Sequence, residues 1–216
     1  MMNKLGRVFL AGITFTAMAC SSGIGSVPVT LDAPLDAAKK YRLAVVFTQF
    51  DDDYAGPAVD VAYDVPFDPT STTIDLPSLE APSAANILCV RKDKQRGQPP
   101  GACDADSPYK IGIGYVVIVE DGNGNGKADF TTSGGDGSAK IVAPDVIARV
   151  GMGAIVYDEK GGSVLPSSPE LPALVEGTVP AGMTLYEAYR PAGKTFDRLR
   201  VRTVPLVLSA KGPNLT

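Results

Sequence analysis

Nine consecutive residues of this 216-residue chain set oxygen-bearing side chains at 121, 123, 125 and 129: Asp121-Gly122-Asn123-Gly124-Asn125-Gly126-Lys127-Ala128-Asp129. They satisfy the pattern D-x-[DN]-x-[DN]-G-x-x-D, with a glycine where the backbone must turn sharply. One short loop of this kind can wrap a hard cation with many oxygens. A second reading stays open. Asn-Gly, which occurs twice here, is a favoured turn sequence because both residues tolerate positive φ, and such a turn reverses a chain without metal. The spaced acids Asp121 and Asp129 favour the cation, since a plain turn does not need them.

Other chemistry is constrained by what is missing. The chain has no histidine, which removes Ser-His-Asp and Cys-His catalysis, His-ligated zinc and the commonest general base. It also has no tryptophan, so any aromatic platform must come from its eight tyrosines and seven phenylalanines. Paired carboxylates remain chemically available. Asp51, Asp52, Asp53, Asp60 and Asp64 include candidate pairs for a hydrolase acting on polysaccharide, which needs two acids about 5 to 10 Å apart across a cleft. Solubility of a hairpin explains the same residues.

The loop resembles the calcium loops of EF-hands, dockerins, thrombospondin type 3 repeats and the calcium-binding B-type repeats of bacterial surface proteins. That resemblance implies side-chain ligation by Asp121, Asn123 and Asn125, ligation by the backbone carbonyl of Lys127, and by Asp129 directly or through water. The departure is Thr132, which stands where an EF-hand has its bidentate glutamate. With only two charged ligands, the expected calcium affinity is weak, about 10⁻⁴ to 10⁻³ M. Asp136 is placed to complete the sphere. The residues before the loop, Tyr115 to Val119, are strand-like, so the loop is expected to be a hairpin connection.

The N-terminus carries the second informative pattern. Lys4 and Arg7 precede an apolar stretch from Val8 to Met18, too short to span a bilayer, and Ala17-Met18-Ala19 supplies small residues for cleavage. Ala17-Met18-Ala19-Cys20 resembles the lipobox of bacterial lipoproteins, which implies a diacylated Cys20. An ordinary secretory signal is the alternative. Of the three cysteines, Cys89 and Cys103 are close enough in sequence to bridge, which leaves Cys20 as the odd thiol that an exported protein must use or modify. Ser21 after the cysteine is similar to an outer-membrane sorting signal. The bridge would close a loop worth about 3 kcal/mol in the chain-entropy model, in a compartment oxidising enough to keep it.

The implied organisation is a signal peptide over 1–19, a lipid-anchored tether over 20–39, and one domain over 40–216. Removing the signal takes away Lys4 and Arg7 and no acid, leaving 18 basic against 24 acidic side chains, a formal charge of −6. Nucleic acid is excluded as a partner for such a surface; metal cations suit it better. Eighteen prolines and 23 glycines indicate many turns.

Strands must position the loop. Val59, Val61, Tyr63, Val65 and Phe67 alternate with smaller or polar residues, the period of a half-buried strand. Tyr41 to Phe50 is apolar on both parities and reads as a central strand, joined to the first by an acidic turn at 51–57. Thr72 to Leu76, Ala139 to Ala143, Ala154 to Tyr157, Met183 to Tyr189 and Leu199 to Leu208 are further candidates. Ile111 to Val119 alternates as well, with Gly112 and Gly114 on the other face indicating close backbone approach or a bulge. In Leu199 to Leu208 the parity switches across Pro205, as a bulge or edge position would produce. Asp145 to Val150 is expected to form one helical turn. The sum is an all-β, antiparallel β-sandwich. Val179-Pro180-Ala181-Gly182 is similar to a turn of transthyretin-like domains, implying an Ig-like or transthyretin-like fold.

Arg91-Lys92-Asp93-Lys94-Gln95-Arg96-Gly97 is a basic cluster within the Cys89–Cys103 interval. It reads either as a docking loop for an anionic surface or as a solvated hairpin loop stapled at its base, and the second is preferred. Gly114 to Val117 with the loop and Ile155-Val156-Tyr157 is similar to uncharacterised bacterial lipoproteins bearing a D-x-N-x-N-G-K loop. The expectation is thus a non-enzymatic envelope lipoprotein of the outer membrane. It would hold calcium, be attached through its lipid and contact an envelope protein or polysaccharide. The alternatives are the carboxylate hydrolase and an accessory subunit of an envelope assembly, with 165–179 as a contact segment or exposed linker.

Overall fold

The alternating apolar residues form strands, as their spacing requires. A computed structural model describes residues 24–48, 59–89, 103–132, 139–164, 175–195 and 197–213. Among them there is no α-helix, and the helical element is a 3₁₀ turn at Ala84–Asn86. The protein is all-β.

The strand β6 (Lys110–Glu120) is the hub. One edge of it pairs antiparallel with β5 (Ile87–Cys89) and then with β2 (Tyr41–Thr48), whose free edge carries β3 (Val59–Phe67). The other edge pairs with β10 (Gly153–Asp158) and then with β9 (Val146–Gly151). Because neighbours cover both faces, β6 reads as a near-continuous apolar run. Val116 and Ile118 enter a core with Leu43, Val45 and Phe47, whereas Val117 and Val119 pack on the opposite face with Ala44, Val46 and Ala128. Ile111 and Ile113 pack with Ala154, Val156 and Tyr186. The close approach expected at the strand glycines is present, because a Cβ on Gly114 would come within 2.9 Å of the Phe47 ring.

The sheet divides at Met152. β10 continues to β11 (Gly182–Tyr189) and β12 (Arg198–Val201). β9 continues to β13 (Leu206–Ser209), β1 (Gly25–Leu31) and β4 (Thr73–Leu76). Met152 serves both branches: its N–H donates to Val207 O at 2.7 Å and its carbonyl accepts from Ala188 N at 3.0 Å. The β13–β1–β4 branch curls over β2 and β6, so that Val27, Leu76 and Leu208 close the same core as Leu43 and Ile118. The result is sandwich-like. Among the described strands all pairings are antiparallel except that of β1 with β13, which is parallel, and an isolated parallel bridge joins Val175 to Leu199.

Several local expectations are corrected. Residues 25–31, assigned to the tether of 20–39, form β1, with Val27 fully buried; apolar residues at alternate positions were masked there by proline and serine. The expected helical turn at 145–150 is β9, because its edges are taken by β6 and β13. The parity switch across Pro205 is not a bulge: β12 and β13 are separate strands in different branches. The acidic turn at 51–57, the basic cluster at 91–97 and all of residues 1–23, including Cys20, lie outside the described residues. The Cys89–Cys103 disulfide is formed, with Cα atoms 5.7 Å apart.

Candidate metal centre

The loop Asp121–Asp129 leaves the end of β6 and leads into β7 (Phe130–Thr132). β7 does not return along β6. It pairs with β8 (Ala139–Ile141) in a separate two-stranded ribbon, so the expected hairpin is not formed and the Asn-Gly repeats do not serve as a hairpin turn. Residues 122–127 of the loop are exposed, and Asp121 at its start is buried.

Its anchor is Asp121, only 9% exposed. The Asp121 N–H donates to Lys40 O at 3.0 Å, and its Oδ2 accepts the Gly126 N–H at 3.0 Å. Its Oδ1 is buried and has no hydrogen-bond partner. Asn123 Oδ1 accepts the Asn125 N–H and Asn125 Oδ1 accepts the Lys127 N–H, each at 2.8 Å. A carbonyl oxygen has two lone pairs, so each amide oxygen keeps one for a further partner. Asp129 Oδ2 accepts from both Asn123 Nδ2 and Asn125 Nδ2 at 2.8 Å. The positive φ angles of the loop fall on Gly124 (70°) and Gly126 (77°). The pattern placed glycine where the chain needs it.

Two further carboxylates hold the loop from outside and were not singled out as ligands. Asp145, 2% exposed, accepts the Gly122 N–H at 3.0 Å and the Asp129 N–H at 3.1 Å. Asp64 accepts the Ala128 N–H at 3.0 Å through one oxygen and pairs with Arg42 Nε at 2.8 Å through the other. Nothing in the sequence marked Asp145 beyond its place at the start of the segment expected to form a helical turn. Gly122 sits hard against this support, since a Cβ there would lie 2.3 Å from Pro144 O.

All five expected metal residues, Asp121, Asn123, Asn125, Lys127 and Asp129, thus share one loop, and Asp121 offers a buried carboxylate oxygen that no protein donor satisfies. The set fits a hard cation by donor chemistry, being wholly oxygen. Among the described residues no group of three or more His, Cys, Asp or Glu side chains could hold a metal, so amide and backbone oxygens must supply most of the sphere. Asp136 lies outside the described residues.

The candidate hydrolase acids are engaged elsewhere. Asp60 Oδ2 accepts from Ser83 N and Asn86 Nδ2, both at 2.7 Å, and Asp64 holds the 121–129 loop through Ala128 N. Asp51, Asp52 and Asp53 lie outside the described residues. A shallow groove of about 390 Å³ runs beside the loop, lined by Asp121, Gly124 and Gly126 and by Lys40, Arg42 and Phe67. Among the described residues no helix is long and apolar enough to cross a membrane. No family model, curated protein or solved structure matches this chain.

Proposed function

We propose that the protein is an exported, lipid-anchored domain of the cell envelope, held to the outer membrane through Cys20, whose all-β body is non-enzymatic and binds calcium at residues 121–129. The observation that carries the calcium reading is the orphaned Asp121 Oδ1. A buried carboxylate oxygen with no donor costs about 1 to 3 kcal/mol, and a cation bound there removes that cost. The anchor reading is carried by the lipobox-like residues 17–20 and by Cys20 remaining odd once Cys89 and Cys103 pair. An envelope protein or a polysaccharide is the partner.

The test is thermal unfolding of the purified protein in EDTA, in calcium and in magnesium. A ligand that binds only the folded state adds RT ln(1 + [L]/Kd), about 1.4 to 2.7 kcal/mol when calcium is roughly ten to a hundred times Kd. A calcium-specific rise in midpoint is the expected result; no rise removes the calcium site. For the anchor, Cys20→Ser should release the protein from membranes, and continued membrane fractionation contradicts lipidation.

A further inference from the structure

We propose that the loop and the adjoining groove together form a calcium-dependent site for an oxyanion, the carboxylate or phosphate group of a ligand about the size of a sugar unit. This rests on the calcium reading above and extends it, making the ion a bridge rather than only a brace. Coordination arithmetic is the first reason. Asp121, Asn123, Asn125, the Lys127 carbonyl and Asp129 supply five donors if each gives one oxygen, whereas calcium takes 6 to 8, so about one to three positions are left for water or for a ligand oxygen. Thr132 cannot replace the two oxygens of a glutamate.

The groove is the second reason. At about 390 Å³ it falls in the range of small-molecule sites. It is lined by Asp121, Gly124 and Gly126 of the loop together with Lys39, Lys40 and Arg42 from the start of β2, so an ion held by the loop would lie beside it. Lys39 is tied to Glu120 at 2.9 Å and Arg42 to Asp64 at 2.8 Å. Lys40 is exposed, and no carboxylate pairs with it among the described residues.

Charge makes the site conditional. With the two ion pairs cancelled, Lys40 and Lys127 stand against Asp121, Asp129 and Asp145, which leaves one net negative charge. A divalent cation reverses it to one net positive charge. The loop without its ion repels an anion, and the loaded loop attracts it, with Lys40 as the second contact. Lys40 meets the loop through its backbone carbonyl, which accepts from Asp121 N, so its side chain can be changed without removing that bond.

The experiment is isothermal titration of the purified full-length protein with digalacturonate and, separately, glycerol phosphate, each in calcium and in EDTA, for the native chain and for Lys40→Ala. At least one probe should bind in calcium and neither in EDTA; which one binds distinguishes carboxylate from phosphate. Lys40→Ala should weaken binding about tenfold, the worth of one charge-assisted hydrogen bond, and should keep the calcium-induced rise in unfolding midpoint measured without anion. If calcium raises the midpoint but neither probe binds, the oxyanion site is wrong and the calcium site stands. Binding that ignores EDTA, or that Lys40→Ala leaves unchanged, also overturns it. If calcium raises no midpoint, both readings fall together.

Discussion

Asp121 is the residue on which the site turns, and its two oxygens have different work. Oδ2 closes the loop by taking the Gly126 N–H, while Oδ1 is buried without a donor. Asp121→Asn keeps an acceptor for Gly126 and replaces the unsatisfied charged oxygen with a neutral NH₂ group. In EDTA the variant should unfold at the same temperature as the native chain or above it, and its calcium-dependent rise should vanish; a surviving rise takes Asp121 out of the ligand set. A second residue-scale expectation concerns Glu187, which is 5% exposed. Burial works against its charge, yet Arg200 Nε at 2.7 Å and the Thr203 N–H at 3.2 Å hold its carboxyl below its ordinary value of 4.5. The unfolded chain therefore takes up the proton first as pH falls, so the stabilisation is complete above 4.5 and is lost as pH drops through the lower folded value. Glu187→Gln should lower the midpoint at neutral pH and flatten its decline in acid, as calorimetry across that range would show.

At the scale of elements, the bend between β9 and β10 decides the architecture, because it sends two branches of sheet from one edge of β6. Gly153 permits it: a Cβ there would sit 2.2 Å from Tyr186 O, a backbone atom that cannot step aside. Gly153→Ala should cost about 1 to 3 kcal/mol, as overpacking does, and denaturant unfolding measures it. The same scale explains why strand positions were legible and some strand roles were not. Parity along 111–119 is a local property and named β6 correctly. Residues 145–150 carry no strict alternation and were read as a helical turn, and 199–208 was read as one strand with a bulge or edge position at Pro205, because which distant strand takes each edge is not written in the local sequence.

The whole molecule is closed by its earliest described strand. β1 lies between β13 and β4 and buries Val27 and Val29. Asp32, just beyond it, accepts from Ser209 Oγ at 2.9 Å and Ala210 N at 3.1 Å and pairs with Arg149 at 3.0 Å. A chain starting at residue 32 leaves Leu76 and Leu208 uncovered and should lose cooperative unfolding; a sharp transition would show that β1 is dispensable. The disulfide adds a second closure. Replacing Cys89 and Cys103 together with serine should reduce stability by about 3 kcal/mol, measured by denaturant titration against the native chain.

The sequence by itself determined the all-β class, most strand positions, the oxygen-rich loop and the Cys89–Cys103 pairing, because period-two alternation, short spacing and residue chemistry act within a few residues of one another. The tertiary structure alone decided that β6 and β7 part company, that β1 belongs to the sheet, and that Asp145 and Asp64 hold the loop from 16 and 64 residues away. It also placed the groove against Asp121. These depend on which distant strands share an edge, and burial of apolar surface selects that partnership for the chain as a whole, not for any segment of it.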